Sequence, residues 1–172
     1  MRIALAQIAP RLGDVEKNLD LHLEYVGKAK KEKAGLLVFP ELSLTGYTLK
    51  DLVQDVALDP RDSPVFRKLG AESRDLAIVV GFVEVDDRHR LYISAAYLAG
   101  GGLVHLHRKL YLPTYGLFNE SRVYTPGQSL RAFDTRFGRV GMLICEDIWH
   151  ASSPWLLWQD GADILILISA SV

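Results

Sequence analysis

Short apolar runs, closed by turn residues and separated by stretches of helical spacing, constrain this fold more than any other feature. Leu36 to Phe39, Leu76 to Glu84, Arg139 to Cys145 and Ile164 to Ile168 read as strands, and Arg2 to Ala9 as a buried first strand. Between them lie helical patterns. Asp14 can cap a helix whose Val15, Leu19, Leu23 and Val26 recur at helical spacing, with Gly35 closing it. Ser63 and Pro64 open a second helix running to about Arg74. Ser152 or Ser153 with Pro154 opens a third, which Gly161 ends. Leu91 to Leu98 and Leu103 to Lys109 form two more strands, joined by a turn at Ala99 to Gly102. This alternation predicts a layered α/β architecture. The 172 residues suffice for one domain, or part of one, with a real core.

Composition removes several classes of function. The formal net charge is −1, so no general electrostatic attraction to nucleic acid or an anionic membrane is expected. The one basic run, Lys28 to Lys33, falls late in a helical pattern, where cations suit the helix dipole. A single cysteine rules out an internal disulfide framework and fits a cytoplasmic protein. The longest apolar run, Ile164 to Ile168, is far too short to cross a bilayer as a helix. His105 and His107 alternate onto one strand face, but no ligand motif accompanies them and no metal or cofactor is expected. Gly100 to Gly102 joins two strands without leading into a helix, so it reads as a turn, not a phosphate cradle.

Three residues could carry chemistry. Cys145 ends a buried strand and leads into the polar corner Glu146-Asp147-Ile148-Trp149, where a thiol is either structural or an exposed nucleophile. Glu41 follows Leu37-Val38-Phe39-Pro40 and is either a capping group or a general base in a cleft. Lys109 ends its strand and opens the long segment from Leu110 to Leu130, rich in Pro, Gly, Tyr and Asn. Alternation puts Arg108 on the opposite face from Lys109. Glu120 either holds a lysine or is a solvated loop charge. Each of the three lies at the C-terminal end of a separate expected strand, and such ends share one rim. A nucleophile, a base and a cation in one cleft form the minimum set for amide cleavage by acyl transfer.

FPEL at 39–42, RKLYLP at 108–113 and ICEDIW at 144–149 resemble the three signature regions of the nitrilase, or carbon–nitrogen hydrolase, superfamily. The opening IALAQIAPRLGDVEKNL is similar to that family's first strand and helix. The resemblance covers essentially the whole chain. It implies a single α/β domain over residues 1–172, an αββα sandwich of two stacked mixed sheets flanked by helices, with C-terminal strands missing. It implies Cys145 as nucleophile, Glu41 as base, and Lys109 with the Glu146 backbone N–H as oxyanion stabilisers. Glu120 matches an additional glutamate near the lysine.

LPTYGLFNESRVYTPG and CEDIW resemble the glutaminase domain of glutamine-dependent NAD synthetases, although Thr114 and Asn119 depart from that branch. By that resemblance Tyr47, Tyr115, Phe118, Glu146 and Trp149 line a substrate pocket. An aromatic wall with one carboxylate suits an amino-acid amide. The expected partners are a small amide, a second copy of the chain, and a synthetase domain or subunit. Two other readings stay open: a stand-alone amidase for a small ω-amide, and a catalytically silent module.

Overall fold

The computed structural model of the protein describes residues 1–170. Strand β1 (Ile3–Leu5) is followed by helix α1 (Val15–Lys31), whose N-terminus is capped by the Asp14 carboxylate accepting from the Lys17 N–H. Strand β2 (Leu36–Val38), a short helix α2 (Val53–Val56), helix α3 (Pro64–Glu72) and strand β3 (Ala77–Val85) come next. Ser63 caps α3 and Pro64 occupies its first turn, as the sequence predicts. Strands β4 (Leu91–Ala99) and β5 (Gly102–Arg108) form a hairpin. Strands β6 (Phe133–Thr135) and β7 (Gly138–Ile144), helix α4 (Ser152–Gln159) and strand β8 (Ile164–Ile168) complete the order.

The strands make two sheets. One runs β1-β2-β3-β4-β5, parallel over its first three strands and antiparallel over the last three. The other runs β6-β7-β8, with β6/β7 antiparallel and β7/β8 parallel. Period-two alternation along β3 separates the layers. Ala77, Val79 and Val83 join Ile93, Tyr97, Val140, Met142 and Ile166 in the core between the sheets. Ile78, Val80 and Phe82 point the other way, onto Leu19 and Val26 of α1 and Phe66 and Leu69 of α3. Leu157 of α4 packs on Leu143, behind the second sheet. The result is the αββα order that the motifs imply.

Three expectations need correction. The first strand is shorter than Arg2 to Ala9 and is not buried. As a sheet edge it leaves Ile3 and Leu5 exposed. Helix α1 ends at Lys31, with Lys33 in the left-handed region (φ 54°), so Gly35 does not terminate it. Strand β6 and helix α2 were not foreseen, because runs of three and four residues leave no periodicity to read. The basic run is a solvated helix end: Lys28 pairs with Glu24 and Lys30 with Glu72. Gly100 (φ 62°) and Gly101 (φ 97°) supply the left-handed backbone of the β4–β5 turn.

Candidate active site

Glu41, Lys109 and Cys145 each leave the end of a strand. Glu41 stands beyond β2, Lys109 directly follows β5 and Cys145 directly follows β7. Because β2 and β5 belong to one sheet and β7 to the other, the site bridges the mouth between the sheets. The Lys109 ammonium donates to Glu41 Oε1 at 2.8 Å and to Glu120 Oε1 at 2.9 Å. Both lysine and glutamates are buried, with the Lys109 and Glu41 side chains wholly shielded from solvent. Glu120 is therefore a partner of the lysine, not a solvated loop charge. Arg108 takes the opposite face and pairs with Glu84, as alternation requires.

Cys145 opens a 3₁₀ turn, Cys145–Trp149, with φ 45°. A non-glycine residue in the left-handed region is strained and persists only when its surroundings fix it. This is the geometry of a nucleophile elbow, in which a sharp strand-to-helix turn exposes the side chain. Just past β8, the Ala170 N–H donates to Glu41 Oε2 at 3.1 Å.

A family model described as carbon-nitrogen hydrolase matches residues 2–172. The chain belongs to the carbon–nitrogen hydrolase family. It is 35% identical over 170 residues to a glutamine-dependent NAD(+) synthetase of Acinetobacter baylyi, a match covering 99% of this chain and 31% of that protein. Among solved structures, the glutamine-dependent NAD+ synthetase from Acinetobacter baumannii superposes with a TM-score of 0.85 at 34% identity, covering 98% of this chain and 32% of that one. An amidase from Nesterenkonia sp. superposes equally well, with a TM-score of 0.85 at 25% identity over 99% of this chain and 65% of that one. The chain thus spans about a third of the length of the synthetases it matches.

Burial and neighbouring charge together set the electrostatics of this carbon–nitrogen hydrolase site. Burial pushes the Glu41 carboxyl above its ordinary value, against the opposing pull of Lys109. Burial would depress Lys109, but the charges of Glu41 and Glu120 outweigh it and raise the ammonium's pKa. The Cys145 thiol is pushed up by burial and then by the charge of Glu41, with Lys109 pulling weakly the other way. Desolvation and Glu41 dominate, so the thiol rests neutral and needs a base to take its proton.

Four of the five residues expected to line a substrate pocket come together. Tyr47 packs edge-on to Phe118 at 6.4 Å, and Phe118 to Tyr115 at 5.7 Å. Tyr115 donates to Glu146 Oε2 at 2.9 Å, and Tyr47 donates to Glu120 Oε1 at 2.5 Å, joining wall to lysine cluster. Trp149 is the exception. It ends the 3₁₀ turn, is 80% exposed, and makes no aromatic contact with the wall among the described residues.

A residue that ties the site's segments together was missed from sequence. Asp147, wholly buried, accepts from the Leu110 N–H (2.9 Å), the Tyr111 N–H (3.1 Å) and the Ile144 N–H (3.0 Å), and contacts His107 Nε2 at 2.8 Å. It ties the backbone after Lys109 to the Cys145 elbow. The available signal was an acid two residues past the cysteine, in a turn that has backbone donors to satisfy. His107 is thus engaged by a carboxylate, and His105 stacks on Phe133, so the two histidines do not act together.

Proposed function

We propose that this chain hydrolyses the side-chain amide of glutamine through a Cys145 thioester and releases ammonia for NAD synthesis by a synthetase domain or subunit. The observation that carries the reaction is one buried ammonium shared by two carboxylates beside a strained cysteine elbow. In the reaction, Glu41 takes the Cys145 proton as sulfur attacks the amide carbon. The Lys109 ammonium and the Glu146 backbone N–H receive the developing oxyanion. Glu41 then gives the proton to the departing nitrogen, and ammonia leaves a thioester. Glu41 next removes a proton from water, whose oxygen attacks the thioester. The acid departs and the thiol regains its proton. Glu120 holds Lys109 aligned and charged throughout.

The choice of glutamine is supported by similarity to the synthetases and by the wall of Tyr47, Tyr115 and Phe118 beside Glu146. Aromatic faces would pack on the substrate's methylenes, and Glu146 would pair with its ammonium. A lone thiol that must stay reduced suits the cytoplasm, and pairing of two copies follows from family resemblance. A second reading, a stand-alone amidase for another small amide, is supported by the likeness to the Nesterenkonia amidase.

The test is ammonia release from glutamine and a panel of small amides, compared by kcat/KM, with Cys145→Ala as control. Glutamine is expected to be preferred and the variant inactive but folded. Preference for another amide would favour the second reading. Normal turnover by Cys145→Ala would sink both.

A further inference from the structure

Helix α1 buries two polar side chains on its core face, Asn18 (1% exposed) and His22 (0%), four residues apart. Burying such groups costs stability unless their hydrogen bonds are made. Here one bond from each reaches the same turn, and the rest anchor the pair to the helix and to Arg11 before it. Asn18 Nδ2 donates to the Leu44 carbonyl at 2.9 Å and to the Arg11 carbonyl at 2.8 Å, and its Oδ1 accepts from the Arg11 N–H at 2.7 Å. His22 Nε2 lies 2.9 Å from Ser43 Oγ, and the ring stacks on Phe39 at 4.0 Å. Phe39, Ser43 and Leu44 flank Glu41 on both sides.

That turn needs holding. Leu42, next to Glu41, is buried with φ 52°, a conformation that bulky L-residues avoid. The Leu44 N–H donates to the Gly81 carbonyl at 3.0 Å, and the Gly81 N–H donates to Ser43 Oγ at 3.3 Å. We propose that Asn18, His22 and Ser43 are positioning residues, a buried clamp that holds the strained turn presenting Glu41 to Cys145. This rests on the reading of Glu41 as the proton acceptor.

The bonding order fixes the histidine's state. The Asn18 carbonyl, 2.6 Å from His22 Nδ1, can only accept, so Nδ1 carries the hydrogen. Burial lowers the imidazolium pKa to about 4, so the ring is neutral near pH 7. Nε2 is then an acceptor and takes the Ser43 hydroxyl proton. That leaves Ser43 Oγ free to accept from Gly81, closing a directed chain from helix to sheet.

Two measurements on the unliganded protein test this. The first is the rate of Cys145 alkylation by iodoacetamide against pH, which needs no amide substrate. Ser43→Ala and His22→Phe, checked for folding by circular dichroism, are expected to slow alkylation near neutral pH by about 10- to 100-fold. Their pH profiles should move toward that of Glu41→Gln. Folded variants with the rate and profile of the unsubstituted chain would overturn the clamp. The second reads the His22 tautomer by ¹⁵N NMR at pH 7 and needs no substitution. The Nδ1–H tautomer is expected, and an Nε2–H or charged ring would overturn the proposal. A chain whose alkylation depends on Glu41 but which releases ammonia from no amide would refute the proposed function and leave the clamp standing.

Discussion

Gly81 lies in β3, against the turn that carries Glu41. A Cβ built there would lie 2.5 Å from the Leu42 nitrogen, 2.7 Å from the Pro40 carbonyl oxygen and 2.9 Å from Glu41 Cα. All three are backbone atoms, so no side chain can swing aside. Non-bonded heavy atoms settle at about 3.5 Å or more, so Gly81→Ala forces the turn to retreat by about 1 Å. Overpacking of this kind costs about 1–3 kcal/mol of stability, which a folded domain survives. Reactivity should suffer more, because a misplacement of about 1 Å in a reacting group can cost a factor of about 100. The expected result is a folded variant whose kcat for ammonia release falls by about 100-fold. KM should change less than kcat, since Tyr115, Phe118 and Glu146 lie on other segments and only Tyr47 follows the displaced turn. Steady-state kinetics alongside a thermal melt would decide. Unchanged kcat in a folded Gly81→Ala would refute the inference that this close approach sets the position of Glu41.

Lys109→Met should destabilise the fold by about 3–5 kcal/mol in denaturant titration, because Glu41 and Glu120 would be left as buried carboxylates without their cation. A loss under 1 kcal/mol would argue that these carboxylates are protonated. The acid limb of kcat/KM should lie above 4.5, the ordinary glutamic value, since the Glu41 carboxyl is raised by burial and must be ionised to accept a proton. Glu41→Gln should remove that limb along with most activity, and an unaltered limb would assign it elsewhere. His22 binds its proton less readily in the fold (about 4) than when unfolded (6.5), so its neutral state supports stability above pH 6.5. That support, on the order of 3 kcal/mol, should fade as pH falls from 6.5 toward 4, and His22→Phe should flatten this part of the stability curve. An unchanged slope in the variant would show that other groups set it.

The sequence makes two strand ends legible because apolar runs stop abruptly at Pro40 and Cys145, each next to a polar residue that a core would not tolerate unpaired. Helix starts at Asp14 and Ser63 were equally readable, since a side-chain oxygen must meet the free N–H groups of a first turn. What periodicity could not reveal was which sheet each strand enters. Leu36 and Val140 look alike in composition, yet they sit in different sheets and meet across one core. Trp149 was placed in the wall by resemblance alone, and only the turn geometry shows its ring in solvent. The polar contacts that hold the site were invisible for a similar reason. Asn18, His22 and Asp147 break an apolar pattern, and a pattern break names neither a partner nor a direction.

These breaks share a physical logic. The backbone is strained at Leu42 beside the proposed base and at Cys145, the proposed nucleophile. Strain of this kind costs on the order of 1–3 kcal/mol per residue and relaxes unless neighbouring groups over-determine the conformation. At Leu42 those groups are Asn18, His22 and the Gly81 backbone; at Cys145 they are Asp147 and its backbone donors from the end of β7 and the loop after β5. Hydrogen bonds to a wholly buried carboxylate or imidazole are directional and poorly screened, so they fix angle where apolar packing fixes only volume. A site assembled at the mouth between two sheets has no single strand to set its geometry. Buried polar groups that cross from helix to turn, and from sheet to sheet, supply the register that the sheets alone lack.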